Sequence, residues 1–149
     1  EVLSERDDIE IVSSQAADWD ASKARAITET VLQQHPDLCA ILDMWDGQAI
    51  GTGAAVKQAG LADTVSVITS GGGAASTCDL IRDDTFDLVV NYDAPGMGRD
   101  AWTAIMIAMQ NGGGGKMKTQ VFSPTYVMSK DNVESASCWD PEQYAARLR

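Results

Sequence analysis

Short apolar runs alternate along this chain with stretches in which apolar residues recur every three or four positions, the alternation of strands with amphipathic helices. The clearest instance spans residues 38–60, LCAILDMWDGQAIGTGAAVKQAG. Residues 38–44 are apolar apart from Asp43, which suits a strand buried on both faces better than an alternating, half-exposed one. Trp45, Asp46 and Gly47 end it, and Asp46 is suited to cap a helix running through Ala49, Ile50, Ala54, Val56 and Lys57 to a stop at Gly60.

The remaining chain reads in the same way. The opening looks like the last turns of a helix, with a turn at Asp7 and Asp8 and a strand over 9–14, so the polypeptide is expected to be part of something longer. Asp18 or Asp20 caps a helix marked by Ala24, Ile27, Val31 and Leu32, which closes at His35-Pro36. Residues 64–69 are strand-like and run into Ser70, Gly71, Gly72 and Gly73. A helix over 74–82 and a strand over 86–90 follow, the strand ending in Asn91, Tyr92 and Asp93. Ala94-Pro95-Gly96 opens a long helix through Trp102, Ile105, Met106 and Met109, closed by a glycine loop at 111–116. Extended pieces are expected over 117–122 and 126–129, and Asp140-Pro141 caps a helix over 142–148. The expected class is α/β, an open, mainly parallel sheet with helices on both faces, in one domain.

Composition narrows the function. A chain of 149 residues with 44% hydrophobic residues can bury a core, and no apolar stretch approaches the roughly 18 residues of a membrane span. Its net charge of −11 and scattered basic residues argue against a nucleic-acid partner. Cys39, Cys78 and Cys138 form no CxxC pair and read as small buried apolar residues, with a disulfide open to Cys138 only in an oxidising compartment. Neither a metal nor a cofactor is expected. The GTG at 51–53 lies inside a helix, and the Ser70–Gly73 turn lacks both a GK[ST] ending and a ribose-anchoring acid. His35 stands beside a proline without a partner and reads as a helix C-cap, so no catalytic residue is assigned and the chain is not expected to be an enzyme.

In open α/β sheets, ligands bind outside the carboxyl ends of the strands. Three such ends supply Trp45 and Asp46, Ser70 and Gly71, and Tyr92 and Asp93. These six are the candidate ligand-binding residues. Aromatic faces with a few hydroxyls and carboxylates suit a neutral polyol, whose C–H face packs on a ring while its hydroxyls take directed hydrogen bonds. Asp46 and Asp93 also read as helix caps or turn formers.

The stretch QAADWDASKARAITETVLQQHPDLCAILDMWDGQAIGTGAAVKQAG resembles the sugar-type periplasmic binding proteins of ABC importers. The Ala-rich helix, Pro36-Asp37, the apolar strand, the Asp46 turn, Ala49-Ile50-Gly51-Thr52 and Ala59-Gly60 carry the likeness, as do Val89 to Gly98 and MSKDNV at 128–133. The resemblance implies that residues 1–149 are the carboxy-terminal lobe of a two-lobed receptor, with the first, central strand of the lobe missing. It implies a sugar or other small polar ligand, a membrane permease as partner, a periplasmic or membrane-anchored extracellular location, and a hinge near 123–129. An open sheet edge could be covered by a second copy of the chain. At the positions of the family's Asn, strand-end Asp and Gln, this chain has Trp45, Gly71 and Tyr92. The effector-sensing domain of a LacI-type repressor resembles the same fold and is the alternative; an α/β enzyme working at the same strand ends is a further rival.

Overall fold

The computed structural model describes residues 5–112 and 120–147. Helix α1 (Ala21–Gln34) starts at Asp20, whose carboxylate accepts from the amides of Ser22 and Lys23 at 2.8 and 3.0 Å. It buries Ala24, Thr28, Val31 and Leu32 at helical spacing and ends on His35, as the pattern predicts. Then come β1 (Ala40–Leu42), α2 (Asp46–Gln58), β2 (Ser66–Gly71), α3 (Ala75–Arg82), β3 (Leu88–Asn91), α4 (Ala94–Gln110), β4 (Tyr126–Met128), a 3-10 turn (Val133–Ser135) and α5 (Pro141–Ala146).

The four strands form one sheet in the order β1-β2-β3-β4, the first three parallel and β4 antiparallel to β3. The open, mainly parallel α/β sheet is thus as expected. Because β1, β2 and β3 step in one direction and parallel crossovers are right-handed, α2 and α3 lie on the same face. There Ala49, Val56, Cys78 and Ile81 pack with Val67, Val89, Met128, Phe86 and Val133 in one buried cluster. Full burial of Phe86 or Ile81 contributes about 1.5–3 kcal/mol each.

Several expectations are corrected. Strand β1 is shorter than residues 38–44 and is not buried on both faces: it is an edge strand, with Leu42 59% and Met44 69% exposed, because only β2 pairs with it among the described residues. Residues 9–14 join no ladder, and Ile9 and Ile11 are exposed. Strand β2 continues two residues past the predicted stop, since Ser70 and Gly71 pair with Val90 and Asn91 of β3. Cys78 is fully buried, as expected of a small apolar residue, but it is bonded to Cys138, while Cys39 is exposed. The predicted loop at 111–116, the extended piece at 117–122 and the end of the last helix lie partly outside the described residues.

The glycines of GTG serve packing. A Cβ on Gly51 would overlap the main-chain carbonyl of Ala21, and one on Gly53 the methyl of Thr85, so the two glycines let α2 close on the start of α1 and on the turn before β3. Between them Thr52 donates to the carboxylate of Asp43 at 2.7 Å, and Gln48 donates to its other oxygen. That pair of bonds satisfies a carboxylate only 6% exposed.

Candidate functional site

Five of the six candidate residues come together at the carboxyl ends of β1, β2 and β3. Ser70 at the end of β2 donates to the carbonyl of Met44 at 2.6 Å, which ties β2 to the residue before Trp45. Trp45 is the N-cap of α2, contrary to the expectation that Asp46 would be; its indole lies across Gly47, where a Cβ would overlap the ring. Asp46 is the first helical residue. Its Oδ1 accepts from the Gly47 amide at 2.9 Å and its Oδ2 from the Thr77 hydroxyl of α3 at 2.6 Å. A Cβ on Gly71 would overlap this carboxylate, so the glycine at the end of β2 is what lets Asp46 reach α3.

Tyr92 follows β3, its amide donating to the Gly71 carbonyl at 3.1 Å, and its ring lies within 3.4 Å of where a Cβ on Gly72 would stand. Burial, and secondarily the Asp46 carboxylate, push its phenol above the ordinary range, so Tyr92 is a neutral donor and acceptor at pH 7. Asp93 is next along the chain, between Tyr92 and Ala94. It sits at φ 44° as the N-cap of α4, accepts from the Gly96 amide, and faces a neighbouring cleft with Arg99, Tyr126, Trp139 and Tyr144. The cap role weighed for it in the sequence is the one it fills.

Trp19 belongs to the rim and was not singled out by sequence reasoning. Its ring meets that of Trp45 edge-on with centroids 6.1 Å apart, and it is 67% exposed. Its φ of 61° is a left-handed conformation that costs a bulky residue of the order of 1–3 kcal/mol and persists only where the surroundings impose it. Here the imposing bond runs from the Trp19 amide to Gln48, the residue that also donates to buried Asp43. The available signal was an indole between two aspartates ahead of a helix, where no core position could claim it.

The segment after β4 braces the rim from behind. Trp139 pairs with Ala74: its amide donates to Gly73 at 3.0 Å, its carbonyl accepts from Ala75 at 2.7 Å, and its indole donates to Gly72 at 2.8 Å. The Cys78–Cys138 disulfide fixes the same segment to α3. Buried Asn91 joins the two sheet ends, donating to the Tyr126 hydroxyl at 2.7 Å and accepting from the Asp93 amide at 2.8 Å. Among the described residues no group of His, Cys, Asp and Glu could hold a metal ion, and no helix is long and apolar enough to cross a membrane.

Residues 1–115 match the periplasmic binding protein domain family. The chain is similar to the D-ribose/D-allose-binding protein of Pseudomonas aeruginosa, 40% identical over 40% of this chain and 19% of that protein. It is also similar to the D-allose-binding periplasmic protein of Escherichia coli, 38% identical over 48% of this chain and 23% of that protein. Among solved structures, an ABC transporter periplasmic solute binding protein of Actinobacillus succinogenes with bound D-allose superposes with a TM-score of 0.75 at 23% identity, covering 89% of this chain and 46% of that one. The alignments therefore take in less than half the length of each relative.

Proposed function

The chain belongs to the periplasmic binding protein domain family, and from that premise we propose that it is the carboxy-terminal lobe of a two-lobed receptor that delivers a sugar or other small polar solute to an ABC permease. The observation that carries the reading is the strand-end rim itself: Trp19, Trp45, Asp46, Ser70, Gly71 and Tyr92 gather at the carboxyl ends of β1, β2 and β3, where an open α/β sheet holds its ligand.

The lobe assignment draws on three surfaces. Among the described residues only β2 pairs with β1, and an edge of that kind can accept a further strand. The sheet face opposite α2 and α3 shows Leu42, Leu88, Val90 and Val127, all exposed. Helix α4 buries none of its residues and presents Trp102, Ile105 and Met109 to solvent. Apolar surface of that extent belongs under other parts of a larger protein. The hinge falls at the crossing around 123–129, beside β4. A ligand touching both lobes only when they close shifts the open–closed equilibrium by the difference in its affinity for the two states. The disulfide suits the oxidising periplasm or cell exterior.

The test is a thermal-shift panel of sugars, polyols and amino acids against the two-lobed protein, since a ligand that binds the folded form alone raises the melting point. At about a hundred-fold excess over Kd the gain is about 2.7 kcal/mol, several degrees for a protein of this size. A panel with no shift from any member overturns the receptor reading. Sedimentation of the 149-residue chain alone separates the lobe reading, in which a partner lobe covers the β1 edge, from a stable homodimer across that edge.

A further inference from the structure

We infer that the ligand of this site is a sugar or polyol carrying an ammonium group, an inference that rests on the receptor reading above and names the ligand class of the same site.

The rim combines a carboxylate that meets no base with aromatic rings open to solvent. Asp46, half-buried at the start of α2, accepts from the Gly47 amide and the Thr77 hydroxyl at 2.9 and 2.6 Å; both donors are neutral, and each oxygen keeps room for a further one. Behind Trp19, the buried Asp43 carboxylate is likewise bonded to neutral donors, Gln48 and Thr52. Among the described residues no Lys, Arg or His forms an ion pair with either carboxylate. Lys23 and Arg99, the first bases that follow Trp19 and Tyr92 along the chain, go to Asp18 and Asp93 at 2.8 and 3.8 Å. The start of α2 contributes a partial positive charge of about half a unit, which leaves the carboxylate in excess. Beside it, Trp19 and Trp45 meet edge-on and are both exposed, and Tyr92 is a half-buried ring whose phenol is pushed above the ordinary range by burial and then by the Asp46 charge. When a second lobe closes over this end, Asp46 loses water, and a neutral hydroxyl returns less of that loss than an ammonium does. The same ammonium is attracted to the ring faces. An amine should therefore outbind a hydroxyl at that position of the ligand by about tenfold, the gap between a charge-assisted and a neutral hydrogen bond.

The experiment is isothermal titration of the two-lobed protein, at a pH where the amines are protonated, with matched pairs: D-glucosamine against D-glucose, D-galactosamine against D-galactose, D-mannosamine against D-mannose, and D-glucamine against D-sorbitol. The amine member of at least one pair is expected to bind about tenfold tighter than its hydroxylated partner. A gap below about threefold in every pair that binds overturns this inference and leaves the receptor reading standing. Binding by no pair member also overturns the inference, and together with a flat thermal-shift panel it overturns both. Asp46→Asn keeps a group able to bond Gly47 and Thr77 and should bring the pair members together by weakening the amine, while a merely structural role for Asp46 would weaken both members alike and count against the inference. Trp45 supplies a second readout: Trp45→Leu should narrow the gap and Trp45→Phe, which keeps a ring face, should preserve it, and equal gaps in the two variants count against the inference.

Discussion

Breaking the Cys78–Cys138 bond perturbs stability and site together, and its size follows from the chain. The two cysteines are 60 residues apart, so the cross-link removes loop-closure entropy from the unfolded chain of about 14 cal/mol/K, about 4 kcal/mol at 25 °C. Replacing both residues by Ala also deletes sulfur atoms from the core, where Cys78 has no exposed surface, at a further cost of about 1 kcal/mol. In a protein of this length 1 kcal/mol moves the melting midpoint by about 2–4 °C, so C78A/C138A should melt about 10–20 °C lower. Calorimetry of the oxidised protein and the double variant measures the shift, and C138A alone, which keeps Cys78 in the core, separates the cross-link from the void. Alkylation gives an independent count: the native protein should label at exposed Cys39 and the reduced, denatured protein at all three cysteines. Melting points within 2 °C of each other would refute the loop-entropy argument. Because the Trp139 amide donates to Gly73 and the Ala75 amide donates to Trp139, the variant should also lose protection from hydrogen exchange at the amides of Ala75 and Trp139.

Gly51→Ala should destabilise by about 3 kcal/mol in chemical denaturation, because the new methyl meets the Ala21 carbonyl and α1 must move off α2. Asp43→Ala leaves the buried Thr52 hydroxyl and the Gln48 amide without their acceptor and should cost about 3 kcal/mol, with a shift in indole fluorescence as Gln48 releases Trp19. Thr69→Val should be neutral or stabilising by about 1 kcal/mol, since the Thr69 hydroxyl is buried without a partner and valine has nearly its shape. Tyr92 has a folded-state pKa above its ordinary value of about 10 because of its burial and Asp46, so its contribution is fully present below pH 10 and lost as pH rises through the folded value; Tyr92→Phe should flatten the loss of stability above pH 10 in alkaline melts.

What could be read from sequence depended on how local the cause was. The periodicity of Ala24, Val31 and Leu32 reports burial against one neighbour, and the helix followed with its Asp20 cap. The end of β2 was misread because Ser70 and Gly71 have turn chemistry, yet pairing with β3, twenty residues on, keeps them in the ladder. Strand β1 carries a buried-strand composition, but its exposure is set by what lies beside it, and composition cannot report a neighbour. The Asp46 carboxylate looked like a cap because caps are the commonest use of an Asp before a helix; its partner Thr77 is 31 residues away, and only the missing Cβ of Gly71 makes the reach possible. Cys78 and Cys138 have no spacing that announces a pair, and Trp19 lies in a polar stretch where pattern reading looks for caps rather than contacts.

The position of the rim is itself a consequence of strand order. With β1, β2 and β3 stepping one way, the helices that connect them, α2 and α3, lie on one face. In the lobe reading, a further strand added at the β1 edge would make that edge the place where the order reverses, and the crevice at a reversal is where such sheets bind ligands. Trp45 and Asp46 lie just past the carboxyl end of β1, while Trp19 arrives from the segment ahead of α1 and meets Trp45 there. The 6.1 Å contact between the two indoles is tied to the core through Gln48 and Asp43.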